Sequence, residues 1–422
     1  MKRFVLTALS LAIIAGIGAS SNSSRPALRA GAGEAFTAFS VGPGLNNLSS
    51  KDSYASYQWG LKNDGQVQKF EKALNIDHLE GIRVTMDKNG GRAVALPPLG
   101  PSDFENTKID AVPGIDINVQ PAWDLYGQIE NKRPLIVAII DTGVDATHPD
   151  LADSMWVNED EIPGDGIDND GNGYIDDING WNFLDNTNQI HTGPEDTHGT
   201  HAAGTIAAAW NNGGIAGIAD NRYVKIMSLK ALGGEDGKGS PESVIAAIRY
   251  AESNGAQLCN LSFGSPNCTD EFSAAIQDSK MLFVVSAGNG DKNEIGYSVD
   301  QHPVYPASLP YDNVITVANL MFNGELDQSS NFGPIHVDIA APGTFIVGDI
   351  PDNRYAYMSG TSMAAPMVSG VAALLYTARP ELNLLDIKNI IIASAHKLDS
   401  LNGKVLRGGM LDAGAALQWG RQ

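Results

Sequence analysis

The sequence predicts an α/β protein whose central sheet is mostly parallel and is covered by helices on both faces. Five runs of β-branched and apolar residues are typical of strands that are buried on both sides. They span 135–140, 224–229, 258–261, 282–285 and 314–317. Helix-like patterns lie between several of these runs, and such alternation is typical of parallel strands joined by right-handed crossovers. A chain of 422 residues is long enough to bury the core that this architecture needs.

Helix signals are clearest in the second half of the chain. Ser240 is expected to be the N-cap of a helix that has Pro241 at its first position and continues to Gly255. Asp270 is expected to cap another helix, which reaches Lys280. Ligands of such sheets bind beyond the carboxyl ends of the strands, so polar residues that follow a strand are the first candidates for a functional site.

Charge and the N-terminal sequence restrict the classes of function. A net charge of −21 argues against a nucleic-acid partner, because phosphate binding needs a basic face. Lys2 and Arg3 precede an apolar run at 4–17 and small residues at 18–21, which is typical of a secretory signal peptide. The apolar run is shorter than the ~20 residues that span a bilayer. We therefore expect cleavage, export to the extracellular space, periplasm or cell surface, and no stable membrane anchor.

Residues 360–366 (GTSMAAP) precede a small-residue apolar run at 367–375 that predicts a buried helix. This arrangement places a hydroxyl at a helix N-terminus, where free N–H groups and the helix dipole would stabilise an oxyanion. Ser362 is therefore a candidate nucleophile. The alternative is that Thr361 or Ser362 only caps the helix.

Three further polar residues stand at positions where a site is expected. Asp141 directly follows the first strand, His198 precedes a helical run at 202–209, and Asn289 follows the fourth strand. Each has a structural alternative: a strand-ending turn, a helix capped by Thr197, and an Asn-Gly turn. Together with Ser362 they supply the carboxylate, imidazole, amide and hydroxyl that acyl transfer requires.

Three long motifs carry a resemblance to a known family. They are 137–145 with 148–151, then 198–204, then 360–366. In sequence and in their Asp, His, Ser order they resemble the subtilases, the subtilisin-like serine proteases of peptidase family S8. The resemblance runs from about 116 to 418, with a weaker match at 58–66.

The resemblance implies a subtilisin-like three-layer fold and a secreted serine endopeptidase that hydrolyses peptide bonds through an acyl-enzyme intermediate. A catalytically silent binding protein of the same fold and a narrow-specificity processing protease are the alternatives. The resemblance also implies polypeptide substrates, and we expect a monomer.

The roles implied for single residues follow the motifs. Ser362 would attack the scissile carbonyl, His198 would transfer the proton, and Asp141 would orient the imidazole. Asn289 and the backbone N–H of Ser362 would form the oxyanion hole. His201, one helical turn after His198, is interpreted as structural.

Three segments resemble the family's substrate-binding segments, and their glycines would let an extended peptide approach the backbone closely. They are Gly237, Lys238 and Gly239, then Ser262, Phe263 and Gly264, and then Ser286, Ala287 and Gly288. Tyr305-Pro306-Ala307 resembles a family turn in which a cis peptide bond is expected.

Residues 168–176 read D-x-D-x-N-G-x-x-D, which is the pattern of a calcium loop. The expected ligands are Asp168, Asp170, Asn172, the Tyr174 carbonyl and Asp176. Position 179 is Asn where an EF-hand has Glu, so we expect a structural Ca²⁺ site without flanking helices. The alternative is a solvated acidic turn.

These observations divide the chain into four parts. We expect a signal peptide at 1–21, a linker or short propeptide at 22–53, an N-terminal extension at 54–115, and the catalytic domain at 116–422. The chain has two cysteines, Cys259 and Cys268. Export would permit a disulfide bond, whereas the apolar run around Cys259 favours a buried free thiol, and both possibilities stay open.

Overall fold

A computed structural model describes Asp52 and residues 54–70, 94–96, 106–233 and 237–421. The predicted signal peptide at 1–21 and residues 22–51 of the predicted linker lie outside these residues.

The described residues form strands and helices that alternate along most of the chain. The strands are β1 (Gln66–Phe70), β2 (Val94–Leu96), β3 (Asn106–Asp110), β4 (Leu135–Asp141), β5 (Gly180–Asn182), β6 (Val224–Lys230), β7 (Leu258–Leu261), β8 (Leu282–Ser286), β9 (Val314–Leu320), β10 (Ile339–Pro342), β11 (Ile346–Ile350), β12 (Arg354–Met358), β13 (His396–Lys397) and β14 (Gly409–Met410). The α-helices are α1 (Val119–Gly127), α2 (Thr197–Ala207), α3 (Pro241–Ser253), α4 (Asp270–Gln277), α5 (Thr361–Ala378), α6 (Leu384–Ser394) and α7 (Ala413–Gln418). Short 3₁₀ helices cover Ala55–Tyr57, Ala152–Ser154, Pro194–Asp196, Asp399–Leu401 and Leu406–Gly408.

The central sheet has nine strands in the order β13-β14-β10-β9-β8-β7-β4-β6-β5. Every neighbouring pair is parallel except β13 and β14 at one edge. All five predicted strand runs lie in this sheet. The prediction of an α/β fold with a mostly parallel sheet is therefore confirmed.

Helices cover both faces of the sheet. Val137 and Ile139 of β4 belong to a core cluster that includes most of α5. Ala138 and Ile140 point to the opposite face and belong to a second cluster with residues of α3 and α4. Because successive side chains of a strand alternate between faces, a continuously apolar strand is needed to serve both clusters. The result is the predicted three-layer arrangement.

The predicted helices occur, with two corrections at their ends. Helix α3 begins after Ser240, whose side chain accepts a hydrogen bond from the Ser243 N–H, as expected of an N-cap. The expectation that Asp270 caps α4 is wrong, because the Thr269 side chain accepts from the Phe272 N–H. Helix α4 also ends at Gln277, before the expected Lys280.

Helix α5 begins six residues earlier than the apolar run suggested, at Thr361. Its N-cap is Gly360, and no side chain of the described residues caps it. The alternative in which Thr361 or Ser362 acts as the cap is therefore wrong. This helix is long and apolar enough to cross a membrane, but 94% of the apolar window is buried inside the protein, so it is the central core helix.

The described parts of the N-terminal extension pack onto the rest of the molecule. Trp59, Leu61 and Val67 are buried in the core cluster that contains α5. Strand β1 pairs with β3, and β2 adds an antiparallel third strand to the β11–β12 ribbon. The division of the chain at residue 115 stays a prediction.

The two cysteines are both free thiols, which decides the question that the sequence left open. Cys259 is buried in β7, and burial raises the pKa of its thiol. The expected cis peptide bond at Tyr305–Pro306 is confirmed.

Candidate active site

Strand β4 brings Asp141 to the carboxyl edge of the sheet, where it is 0% exposed. Its Oδ1 atom accepts a hydrogen bond from the Thr142 N–H at 2.7 Å and lies 2.7 Å from Nδ1 of His198. A buried carboxylate needs such donors, because desolvation would otherwise disfavour its charge. The bond to His198 also selects the imidazole tautomer that carries its proton on Nδ1.

His198 lies in the first turn of α2, which begins at Thr197 rather than after residue 201 as the sequence suggested. The earlier start places the imidazole on a rigid helix instead of a loop. The Gly199 N–H donates to Oγ1 of Thr142 at 3.1 Å, so helix and strand end are joined next to the catalytic candidates. Nε2 of His198 has no hydrogen-bond partner among the described residues and is available as a base.

Ser362 is the second residue of α5 and is buried. Its hydroxyl donates to the Ser262 carbonyl at 2.9 Å, and the Ser262 hydroxyl donates to the Ser362 carbonyl at 3.0 Å. The hydroxyl therefore does not bond to His198 in this state. Nucleophile–base hydrogen bonds often form only in the substrate complex, so this geometry is compatible with a nucleophile at rest.

Asn289 follows β8 and is held by the start of α5. Its Oδ1 atom accepts from both the N–H and the hydroxyl of Thr361, each at 2.8 Å. The Thr361 hydroxyl oxygen in turn accepts from the Gly288 N–H at 3.1 Å. With the carbonyl end of the amide fixed, the Nδ2 donor of Asn289 is directed by its neighbours rather than free to rotate. Ser362 N–H lies in the first turn of α5, where helices leave N–H groups without helical partners.

His201 is fully buried on the inner side of α2. Its Nε2 atom lies 2.9 Å from the Ile346 carbonyl, and burial lowers the pKa of His201 to about 4. A Cβ atom on Gly348 would lie 2.6 Å from the imidazole ring, so β11 packs directly against it. His201 is thus a neutral core residue in this structure, which agrees with its interpretation as structural.

The three predicted substrate segments lie at the ends of neighbouring elements. Gly237, Lys238 and Gly239 belong to a turn in which Gly233 and Lys238 exchange two backbone hydrogen bonds of 3.0 Å. Ser262, Phe263 and Gly264 follow β7, whereas Ser286 ends β8 and is followed by Ala287 and Gly288. Their contact with a substrate stays a prediction.

Sequence reasoning missed three groups around the site. Thr361 orients Asn289, the Ser262 carbonyl holds the Ser362 hydroxyl, and Lys230 is bonded to Asp196 inside the protein. Lys230 could have been noticed, because it is a cation at the end of a strand that is otherwise suited to burial. The other two act through contacts that no local pattern reveals.

The predicted calcium loop is ordered around Glu161, which the sequence pattern did not include. Glu161 is buried, and its carboxylate accepts from the N–H groups of Asn169, Asp170 and Asp176. Carboxylate oxygens of Glu161, Asp168 and Asp170 all lie within 4.8 Å of one another. Burial raises the pKa of Asp170, and the nearby charge of Asp177 adds to this effect.

The other predicted ligands are engaged within the loop itself. Both oxygens of Asp176 accept backbone N–H groups, from Gly164 at 2.7 Å and Gly166 at 3.1 Å. Nδ2 of Asn172 donates to Asp170, and its Oδ1 accepts from the Tyr174 N–H. The three carboxylates within 4.8 Å of one another thus include two of the predicted ligands, Asp168 and Asp170, together with Glu161. The assignment of metal ligands stays a prediction.

Comparison with known proteins places this geometry in a family. A model of the subtilase family matches residues 132–409. Subtilisin-like protease 1 of Plasmodium berghei (strain Anka) is 35% identical over 294 residues, which make up 65% of this chain and 48% of that protein. The major intracellular serine protease of Bacillus subtilis (strain 168) is 35% identical over 269 residues, which make up 63% of this chain and 75% of that protein. Thermitase of Thermoactinomyces vulgaris is 34% identical over 263 residues, which make up 61% of this chain and 79% of that protein.

The chain spans less than half the length of the Plasmodium relative, and most of the length of the two bacterial ones. The family match contains Asp141 at the end of β4, His198 in the first turn of α2 and Ser362 at the start of the core helix. It covers well over half of the chain. The chain belongs to the subtilase family.

Proposed function

We propose that this protein is a secreted serine endopeptidase that hydrolyses peptide bonds through an acyl-enzyme intermediate. The observation that carries the proposal is the 2.7 Å contact between buried Asp141 and His198, with Nε2 of the imidazole unpaired within the described part of the chain. A hydroxyl at the N-terminus of a buried helix, Ser362, supports the same chemistry.

The first half of the reaction forms a bond from Ser362 to the substrate. The Ser362 hydroxyl leaves the Ser262 carbonyl, and its oxygen attacks the scissile carbonyl carbon while Nε2 of His198 takes the proton. Asp141 stabilises the imidazolium that results. The negative oxygen of the tetrahedral intermediate accepts hydrogen bonds from Nδ2 of Asn289 and the Ser362 N–H. When the C–N bond breaks, His198 gives its proton to the leaving amine.

The second half releases the acyl group. Water attacks the ester carbonyl while Nε2 of His198 takes a proton from it, and a second tetrahedral intermediate uses the same two donors. Collapse returns the proton to Ser362 and frees the carboxylic acid. Each half of the reaction needs Nε2 of His198 first as a base and then as an acid. The bond from Nδ1 to Asp141 keeps the imidazole in the tautomer and orientation that both roles require.

The substrate is a polypeptide in an extended conformation. The segments 237–239 and 262–264 offer backbone groups for strand addition, in which affinity comes from main-chain hydrogen bonds. The wall formed by 286–288 would meet the side chain that precedes the scissile bond. We propose that the enzyme acts as a monomer on soluble polypeptides, after export directed by residues 1–21.

We also propose a structural Ca²⁺ ion in the loop that contains Glu161, Asp168 and Asp170. Hard oxygen ligands without nitrogen or sulfur suit calcium, and a cation would offset the repulsion among three carboxylates whose oxygens lie within 4.8 Å of one another. The ion would brace the segment between β4 and α2, which carry Asp141 and His198 at their ends.

Hydrolysis by the wild type and by Ser362→Ala tests the proposed activity. With casein or a peptide anilide as substrate, we expect the variant to lose at least about 10³-fold in kcat. A matched control is Ser394→Ala, which removes a hydroxyl at the end of α6 that donates to the Ile391 carbonyl, and we expect it to leave kcat unchanged. Equal rates in wild type and Ser362→Ala would instead favour the silent binding protein, and N-terminal sequencing of the exported enzyme would test the signal peptide.

A further inference from the structure

Lys230 places a positive charge inside the protein, next to the proposed catalytic residues. It is the last residue of β6, pairs in register with Asp141 of β4, and is 2% exposed. Its Nζ atom donates to the Thr142 carbonyl at 2.5 Å and to Oδ1 of Asp196 at 2.5 Å. A buried ammonium is tolerated only with such partners, because desolvation strongly disfavours its charge.

Asp196 is fully buried and stands two residues before His198. Besides Lys230, its carboxylate accepts from His191 Nδ1 at 2.8 Å and from two backbone N–H groups, those of Thr192 and Gly193. Burial raises the pKa of this carboxyl, but the hydrogen bonds from His191 and Lys230 outweigh it and hold the pKa below its usual value. Asp196 occupies the N-cap position of α2, yet its side chain does not cap the helix. The side chain is committed to Lys230 and to the turn before the helix.

The turn after Asp141 and the turn before His198 touch each other at this ion pair. A Cβ atom on Gly143 would lie 2.5 Å from the Ile190 carbonyl and 2.7 Å from Oδ1 of Asp196. Gly143 also has a φ of +115°. The Gly143 backbone and the Asp196 carboxylate are therefore in close contact. If the turn after Asp141 moves, the turn before His198 must move with it.

We propose that the Lys230–Asp196 ion pair is a positioning device that sets the distance between Asp141 and His198. The inference rests on the proposed protease function. Lys230 holds the residue after Asp141 through the Thr142 carbonyl, and Asp196 holds the start of the helix that carries His198. Neither side chain touches the reacting atoms, so both act through the Asp141–His198 hydrogen bond.

The pair is tested by removing one charge or both. Lys230→Met and Asp196→Asn each remove one charge of the ion pair and leave the other buried charge without its ion-pair partner. We expect kcat for a peptide anilide to fall 10–100-fold while KM changes less than about 3-fold. The double variant Lys230→Met with Asp196→Asn carries no unpaired charge. We expect the double variant to recover much of the stability that the single variants lose. Its kcat should stay as low as theirs.

Two further variants separate positioning from general packing. Lys225→Met removes a partly exposed lysine from the same strand, whose Nζ atom donates to the Asp153 carbonyl, and it should leave kcat unchanged. Lys230→Arg keeps the charge and should retain more activity than Lys230→Met. The downfield proton resonance of His198 Nδ1 reports the bond to Asp141 directly, and we expect it to shift or broaden in the charge-removal variants only.

Wild-type kcat and an unchanged Nδ1 resonance in Lys230→Met, or in a stably folded double variant, would overturn the inference and leave the pair with a role in stability alone. If wild-type enzyme hydrolyses no peptide, the proposed function fails instead. The Nδ1 resonance still tests the positioning role in that case, because it does not depend on turnover.

Discussion

A Cβ atom at position 360 would lie 2.8 Å from Nδ2 of Asn289. Gly360 is the N-cap of α5 and has a φ of +148°, a backbone conformation that side chains rarely adopt. The missing side chain leaves the amide donor uncovered at the place where the proposed oxyanion would form. Gly360 and Asn289 are thus in close contact although they are 71 positions apart in the sequence.

Gly360→Ala is expected to lower kcat by roughly 10²-fold or more with little change in KM, because a displaced Asn289 no longer meets the developing oxyanion. Steady-state hydrolysis of a peptide anilide measures both constants. Gly403→Ala is the matched control, since Gly403 also has a positive φ (+72°) but no atom of a described residue lies within 4 Å of an added Cβ. Similar losses of kcat in the two variants would mean that backbone strain, and not the contact with Asn289, controls activity.

Removing calcium is expected to lower the thermal stability of the protein. A ligand present at 100 times its dissociation constant stabilises the folded state by about 2.7 kcal/mol, which corresponds to a shift in Tm of several degrees. Melting in the Ser362→Ala background, with CaCl₂ and with EGTA, measures the shift without self-digestion.

Glu161→Gln and Asp170→Asn should abolish the calcium-dependent part of this shift. Glu130→Gln, an exposed acidic residue outside the loop, should preserve it. A shift that survives in both loop variants would place the stabilising ion elsewhere.

Stability should fall in acid partly because His201 must stay neutral. Burial lowers the pKa of His201 from about 6.5 to about 4, so the unfolded state binds a proton that the folded state excludes between these values. The contribution is fully present above pH 6.5 and is lost as the pH falls toward 4. Near pH 5 it adds up to about 1.4 kcal/mol per pH unit to the slope of the unfolding free energy.

Urea unfolding of the Ser362→Ala protein at several pH values measures that slope. In His201→Gln the slope of the unfolding free energy between pH 6.5 and 4 should be smaller by up to about 1.4 kcal/mol per pH unit, which corresponds to one proton. His396→Gln, which removes an exposed histidine of β13, should leave the slope near the parent value. An equal slope in His201→Gln and its parent would show that this residue does not drive the acid sensitivity.

Much of the fold could be read from local patterns. Continuous apolar runs predicted β4, β6, β7, β8 and β9, because a strand covered on both faces cannot alternate with polar residues. Ser240 and Pro241 marked the start of α3 correctly, since capping and the fixed φ of proline are local effects. The motifs around Asp141, His198 and Ser362 were also sufficient to predict the family.

Contacts between distant segments were not accessible in this way. The sequence placed His198 ahead of a helical run at 202–209 and Ser362 in a turn ahead of the run at 367–375, whereas α2 and α5 begin early enough to carry both residues in their first turns. A helix can begin before the point that its sequence pattern indicates when packing against the sheet stabilises its first turn. Helix propensity alone does not include the free energy of this packing.

By itself, the sequence determined the fold class, the family and the four residues proposed to do the chemistry, because these depend on residue type and order. Only the tertiary structure decided that Cys259 and Cys268 are free, that Glu161 joins the acidic loop, and that Lys230 pairs with Asp196. Each of these depends on which side chains meet after burial, and residues far apart in the chain leave no shared local pattern to read.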